Sequence, residues 1–251
     1  MINVLICGAL GRMGKNVLNA LNSSNKLIAK CGVDLVEDLS NPDFPIYDSI
    51  QKINEKIDVI IDFSSPKALD AILEFALKNN TPAVLCATGY SDEDINKINE
   101  ASKNVALFRS GNMSLGVNIL LDVVTKVAKA LYGFDVEIIE KHHNNKVDAP
   151  SCTALMLADA VKQADPNKYY TYGREGIVGK RDKNEIGIHA LRGGNIVGEH
   201  QVIFAGTDET VTISHQATDR AVFAIGAVKA AEYMADKKTG LYNMKDVLSE
   251  I

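Results

Sequence analysis

No excess of positive charge runs through these 251 residues: 27 lysines and arginines stand against 32 aspartates and glutamates, a net charge of −5. A chain of that sign has no overall attraction for nucleic acid or for an anionic bilayer, so neither is expected as a partner. Long apolar runs are missing too. Runs such as Val59-Ile60-Ile61 and Ala83-Val84-Leu85-Cys86-Ala87 fall far short of the roughly 18 residues that a membrane span requires. Cysteine is sparse: Cys7, Cys31, Cys86 and Cys152 are widely spaced and form no CxxC pair. That pattern argues for reduced thiols rather than a disulfide framework, and against a structural metal. No repeat or low-complexity tract is evident, and no basic stretch precedes the short apolar run at the N-terminus, so the cytoplasm is the expected compartment.

What is present is an ordinary globular composition, 46% apolar and 24% charged, in a length that suits one or two domains with a real core. The first half alternates short β-branched runs with amphipathic stretches: strands at Ile2–Cys7, Leu27–Val33, Val59–Phe63 and Ala83–Cys86, helices at Lys15–Asn22, Lys67–Lys78 and Asp92–Ala101. Such βα units build a parallel sheet. Ser65-Pro66 reads as a helix start with a capping hydroxyl. After about residue 113 the rhythm changes. Helices at Gly116–Leu131 and Ser151–Gln163 flank a strand at Asp135–Lys141, and three strands then follow without intervening helices, Ile186–Leu191, Ile196–Phe204 and Thr210–His215. The expected fold is therefore α/β: a Rossmann-like parallel-sheet nucleotide-binding domain over 1–113 plus 217–251, with a second α+β domain on an open mixed sheet over 114–216. The helix at Asp219–Ala235 is expected to return to the first domain.

Gly8-Ala9-Leu10-Gly11-Arg12-Met13-Gly14 follows the first strand and opens a helix. There, backbone N–H groups at a helix N-terminus can hold a pyrophosphate. The spacing is GxxGxxG, and a tight structural turn is the bland alternative. Asp34 ends the next strand, twenty residues past Gly14. A carboxylate there accepts hydrogen bonds from ribose hydroxyls and repels a ribose 2′-phosphate. NADH is accordingly the expected cofactor, with NADPH second.

Glu140 through Thr153 packs two of the five histidines, His142 and His143, with Lys146 and a helix start at Ser151. Imidazole exchanges protons near neutrality, an ammonium binds carboxylate or donates a proton, and a helix N-terminus attracts anions. A cationic pocket for an acidic metabolite results; the bland alternative is a solvated loop ahead of a capped helix. The paired histidines lack metal-ligand spacing, and no base is evident for Cys152 as a nucleophile.

Together these segments resemble the 4-hydroxy-tetrahydrodipicolinate reductase (dihydrodipicolinate reductase) family nearly end to end. The likeness also runs through Asp62-Phe63-Ser64, Ala87-Thr88-Gly89, Asn112-Met113-Ser114-Leu115-Gly116-Val117-Asn118, Arg192 to His200 and Gly240-Leu241-Tyr242. The resemblance implies NAD(P)H-dependent reduction of a cyclic imine dicarboxylate to tetrahydrodipicolinate, in lysine and diaminopimelate biosynthesis. His142 would be the acid/base residue and Lys146 a proton donor. His143, Cys152, Thr153 and Arg192 would bind the small anionic dicarboxylate. Cofactor contacts would fall on Gly8, Ala9, Leu10, Gly11, Arg12, Met13, Asp34, Cys86, Ala87, Thr88, Ser110, Gly111, Asn112 and Met113. A homotetramer is likewise implied. The chain departs from the pattern at Cys152, where the family has glycine, at Asn145, and at Cys86-Ala87-Thr88, which replaces Gly-Thr-Thr. Another two-domain NAD(P)-dependent oxidoreductase acting on an anionic metabolite, or a nonenzymatic NADH-binding redox sensor, are the alternatives.

Overall fold

The computed structural model describes residues 1–250. In chain order the strands and helices begin β1 (Ile2–Cys7), α1 (Arg12–Asn22), β2 (Leu27–Val33), β3 (Ile46–Tyr47), β4 (Val59–Asp62), α2 (Leu69–Asn79), β5 (Ala83–Leu85), α3 (Asp92–Ser102) and β6 (Ala106–Arg109). They continue α4 (Leu115–Ala130), β7 (Asp135–His142), α5 (Cys152–Ala164), β8 (Tyr169–Tyr172), β9 (Glu185–Arg192), β10 (Gly198–Ala205) and β11 (Thr210–Ala217). The run closes with α6 (Ala221–Met234), β12 (Gly240–Tyr242) and α7 (Met244–Ser249). Contacts divide the chain into two units, one from Met1 to Ser114 together with the chain from Arg220 onward, the other Leu115–Asp219.

The first unit is a seven-stranded sheet in the order β12-β6-β5-β4-β1-β2-β3, with every pairing parallel. Parallel strands are covered on both faces, which is why Val4–Cys7 and Val59–Asp62 are buried without alternation. Chain order reverses direction between β1 and β4, the switch point at which α/β sheets open a crevice at their carboxyl edge. Leu5, Ile60, Leu69, Ile72, Leu85, Ile98 and Leu107 share one core. α6 packs on α1 and on β4–β6. Ser65 makes no side-chain cap: Pro66 opens a short 3-10 turn, and α2 proper begins only at Leu69.

The second unit is a mixed sheet in the order β11-β10-β7-β9-β8. β7, β9 and β8 run parallel, while β10 and β11 pair antiparallel. Val136, Ile138, Val202 and Phe204 pack with Leu120, Val124, Leu157 and Val161 of α4 and α5 to make its core. β8, unforeseen in a polar stretch, is a four-residue edge strand of half-exposed tyrosines and threonine, residue types that favour strands.

Candidate active site

The register places Cys7, at the end of β1, opposite Val33 of β2 and Asp62 of β4. The residues that follow these strand ends therefore share one edge. Gly8 turns the chain at φ +78°, and a Cβ there would lie 2.8 Å from the Phe63 carbonyl oxygen; a Cβ on Gly14 would lie 2.2 Å from the Gly8 carbonyl oxygen. No larger residue fits either position without moving backbone. Gly11 caps α1 in extended conformation with no side-chain cap bond, so the helix presents its first amides to an anion.

Asp34 staples this turn: one carboxylate oxygen accepts from Leu10 N and the other from Leu35 N, each at 2.8 Å. A cavity of about 1120 Å³ opens here, lined by Gly8, Leu10, Gly11, Asp34, Ser64 and Lys67 among others. Ala9 is buried behind it, Met13 half-buried, and Arg12 exposed. Cys86, Ala87 and Thr88 follow β5, and Ser110 to Met113 follow β6, on the same edge but outside that cavity's lining. Asp62, fully buried, was not singled out as a site residue. Burial raises its pKa against hydrogen bonds from Ser64 and Tyr90.

In the second unit the sheet assembles the cluster. β7 alternates, burying Val136, Ile138 and Glu140 on the core face, and His142 follows two residues on, so it shares that face. Arg192 of β9 lies beside His142 in register, and His200 of β10 lies opposite Glu140. Glu140 is completely buried and accepts four bonds: His142 Nδ1 at 2.6 Å, Arg192 Nη1 and Nη2 at 2.8 Å each, and Ser151 N at 3.0 Å. Burial alone would raise its pKa, but these donors outweigh burial and hold it at about 2.

Ser151 caps α5 by accepting from Ala154 N, and its Oγ lies 3.0 Å from His200 Nε2. The His142 and His200 rings meet edge to face at 5.2 Å. Burial, with His142 adding to it, pushes His200 down to about 4, so it stays neutral. Lys146 pairs with Asp148 at 2.7 Å. The loop from 143 to 146 turns through Lys146 N to His143 O, and Asn144 N donates to Gly194 O.

The structure thus brings His142, Arg192, Ser151 and the start of α5 together, with Cys152 exposed and Thr153 buried on its first turn. Arg192, expected in the anion pocket, has both terminal nitrogens on Glu140, and Nη2 also reaches Asp148 O at 2.7 Å. Glu140 and His200 were not singled out as site residues from the sequence. A signal was available for Glu140, a carboxylate in phase with Val136 and Ile138 on a strand.

A doubly wound parallel sheet with a glycine turn and a strand-end aspartate, joined in one chain to a mixed-sheet unit bearing an imidazole–carboxylate cluster, defines the class: two-domain nicotinamide-dependent oxidoreductases. The finer assignment comes from likeness along the whole length. Residues 2–113 match the family model described as dihydrodipicolinate reductase, N-terminus, and residues 116–248 match dihydrodipicolinate reductase, C-terminus. The chain belongs to the dihydrodipicolinate reductase family. It is 48% identical over 250 residues to the 4-hydroxy-tetrahydrodipicolinate reductase of Clostridium novyi, covering 99% of this chain and 98% of that one. It is 48% identical over 251 residues to that of Caldanaerobacter subterraneus subsp. tengcongensis, covering 100% and 99%. The fold is similar to that of dipicolinate-bound dihydrodipicolinate reductase from Paenisporosarcina sp. TG-14, with a TM-score of 0.81 at 23% identity, covering 98% of this chain and 99% of that one.

Proposed function

We propose that the chain reduces the cyclic imine derived from 4-hydroxy-tetrahydrodipicolinate to tetrahydrodipicolinate in lysine and diaminopimelate biosynthesis. The observation that carries this reading is the 142–153 segment: an imidazole backed by a buried carboxylate, an ammonium and a capped helix start, in a chain of this family. A fold neighbour holds dipicolinate, a ring dicarboxylate of the class proposed as substrate.

The residues at the first unit's carboxyl edge fit a dinucleotide. The α1 amides would face the pyrophosphate and Asp34 the adenosine ribose, with residues 86–88 and 110–113 further along the edge. When bound, the nicotinamide supplies the hydride. Asp34 in the cavity wall supports NADH over NADPH, because a carboxylate repels a 2′-phosphate. Lys146 is the carboxylate binder: its ammonium is already matched to Asp148, and a substrate carboxylate replaces that partner. His143, Thr153 and the Cys152 amide complete the anion pocket, where the Cys152 side chain adds volume that glycine lacks. His142 gives its Nε2 proton as negative charge develops on the substrate, and solvent restores it. Arg192 acts through Glu140. By the same reading the chain works in the cytoplasm as a homotetramer built through the second unit's sheet. No helix among the described residues is long and apolar enough to cross a membrane.

NADH oxidation that requires the product of dihydrodipicolinate synthase is the expected result. Equal turnover of an unrelated hydroxy acid or semialdehyde would move the chain to a different substrate. Tight NADH binding with no turnover on any of them would leave only the sensor reading.

A further inference from the structure

We infer that Glu140 is a positioning residue for proton transfer: its buried carboxylate holds the Nδ1 proton of His142 and so leaves Nε2 as the working nitrogen. The inference rests on the reading of His142 as the acid/base residue and goes one step behind it. Three observations carry it.

The first is geometric. A carboxylate held ionised can only accept, so the 2.6 Å contact between Glu140 Oε2 and His142 Nδ1 requires the proton on Nδ1. Nε2 is then the lone-pair nitrogen of the neutral ring and the N–H donor of the imidazolium. A Cβ built on Gly198 would stand 3.1 Å from His142 Nε2, closer than an ordinary contact, so glycine at 198 keeps a side chain off that nitrogen.

The second is saturation. Glu140 has no exposed surface and its two oxygens take four donors. Arg192 and the Ser151 amide fix the carboxylate so that it cannot swing away from the ring. A buried carboxylate on a core-facing strand position is costly unless every lone pair is used, and here the donors come from three separate elements, β7, β9 and the α5 cap.

The third is charge. The titratable and charged groups around the pair are Arg192 on β9, His200 on β10, its cross-strand neighbour His215 on β11, and Lys146 with Asp148 in the loop. Arg192 and Glu140 offset one another, as do Lys146 and Asp148. His200 meets His142 edge-on and is hydrogen-bonded to the Ser151 hydroxyl. Neutral, it adds no like charge against an imidazolium at His142. Glu140 thus faces both Arg192 and the Nδ1 side of His142, an arrangement that fixes the orientation of the ring.

Nitrogen-15 NMR of histidine-labelled protein, at a pH where His142 is neutral, tests the geometry without any turnover. The Nδ1–H tautomer is expected, and an Nε2–H tautomer overturns the inference. Glu140→Gln keeps the shape, removes the charge and turns one of the two acceptor oxygens into a donor. Its kcat should fall by about 100-fold or more, the lower end of what general acid–base catalysis contributes. The basic limb of its pH profile should move to lower pH, and its KM for NADH should stay within about twofold. The double variant Glu140→Gln with Arg192→Gln separates positioning from mere anchoring of Arg192. If it regains wild-type kcat and pH profile, the inference fails; if it is as slow as the single variant, the tautomer of His142 in Arg192→Gln alone decides, Nδ1–H supporting the inference and Nε2–H overturning it. Should Glu140→Gln not fold, the wild-type tautomer decides. Should the wild type oxidise no NADH with the synthase product, the proposed reaction fails, while the tautomer still reports on Glu140 alone.

Discussion

Between about pH 7 and about pH 5 the unfolded chain takes up a proton on His200 that the folded chain refuses. The ring is buried at 4% exposure. Its Nε2 faces the Ser151 hydroxyl at 3.0 Å, and its Nδ1 has no hydrogen-bond partner among the described residues. Burial first, and the neighbouring His142 next, lower its pKa from 6.5 to about 4. Because the folded value is the depressed one, the unfolded state binds more protons throughout that window and stability falls as pH falls. The stabilisation is complete above the unfolded value and is lost on the way down to about 4. Between about pH 7 and about pH 5 the loss amounts to about 2 kcal/mol. His200→Gln keeps a polar atom for Ser151 and does not titrate. Urea unfolding of both proteins at the two pH values measures the effect, with His215, also depressed by its burial, present in each. The variant should lose about 2 kcal/mol less than the wild type between them. Equal losses in the two proteins would refute the reasoning, because His200 would then carry no differential proton.

Gly14→Ala should cost about 1–3 kcal/mol of stability, as overpacking does, and raise KM for NADH, since a Cβ 2.2 Å from the Gly8 carbonyl must displace the turn; thermal melts and kinetics check both. Asp34→Ala frees the Leu10 amide and removes a carboxylate from the cavity wall. It should weaken NADH and relax discrimination against NADPH in a paired kinetic comparison. Lys146→Ala should raise KM for the dicarboxylate far more than KM for NADH. Parallel losses of both would contradict the division of labour. Ser91→Ala breaks the reciprocal cap with Asp94 at the start of α3 and should cost about 1 kcal/mol with kcat unchanged.

Much of the fold is legible in the chain because parallel strands, covered on both faces, must be apolar throughout. Ile2–Cys7 and Leu27–Val33 are bounded by glycine or polar turns and have the limits expected of them. The glycine turn is legible for a related reason: only glycine fits where backbone meets backbone. Short elements were not. Ile46–Tyr47 and Tyr169–Tyr172 pair with β2 and β9; the first is only two residues long, and the second, though its tyrosines and threonine favour strands, has no apolar–polar alternation. Ser65 shows the reverse, a capping residue that forms no cap because the chain first makes a 3-10 turn.

The residue types in Glu140 to Thr153 place two imidazoles and an ammonium beside a helix start without coordinates. Which of them touch was decided by register. Arg192 and His200 are 52 and 60 residues from Glu140 along the chain, and only the pairing of β7 with β9 and β10 brings them to its carboxylate. Charge in a sequence is a list. Burial lowers the local dielectric, makes every unmatched lone pair costly, and so turns that list into one bonded arrangement in which Arg192 and His142 Nδ1 both meet the Glu140 carboxylate.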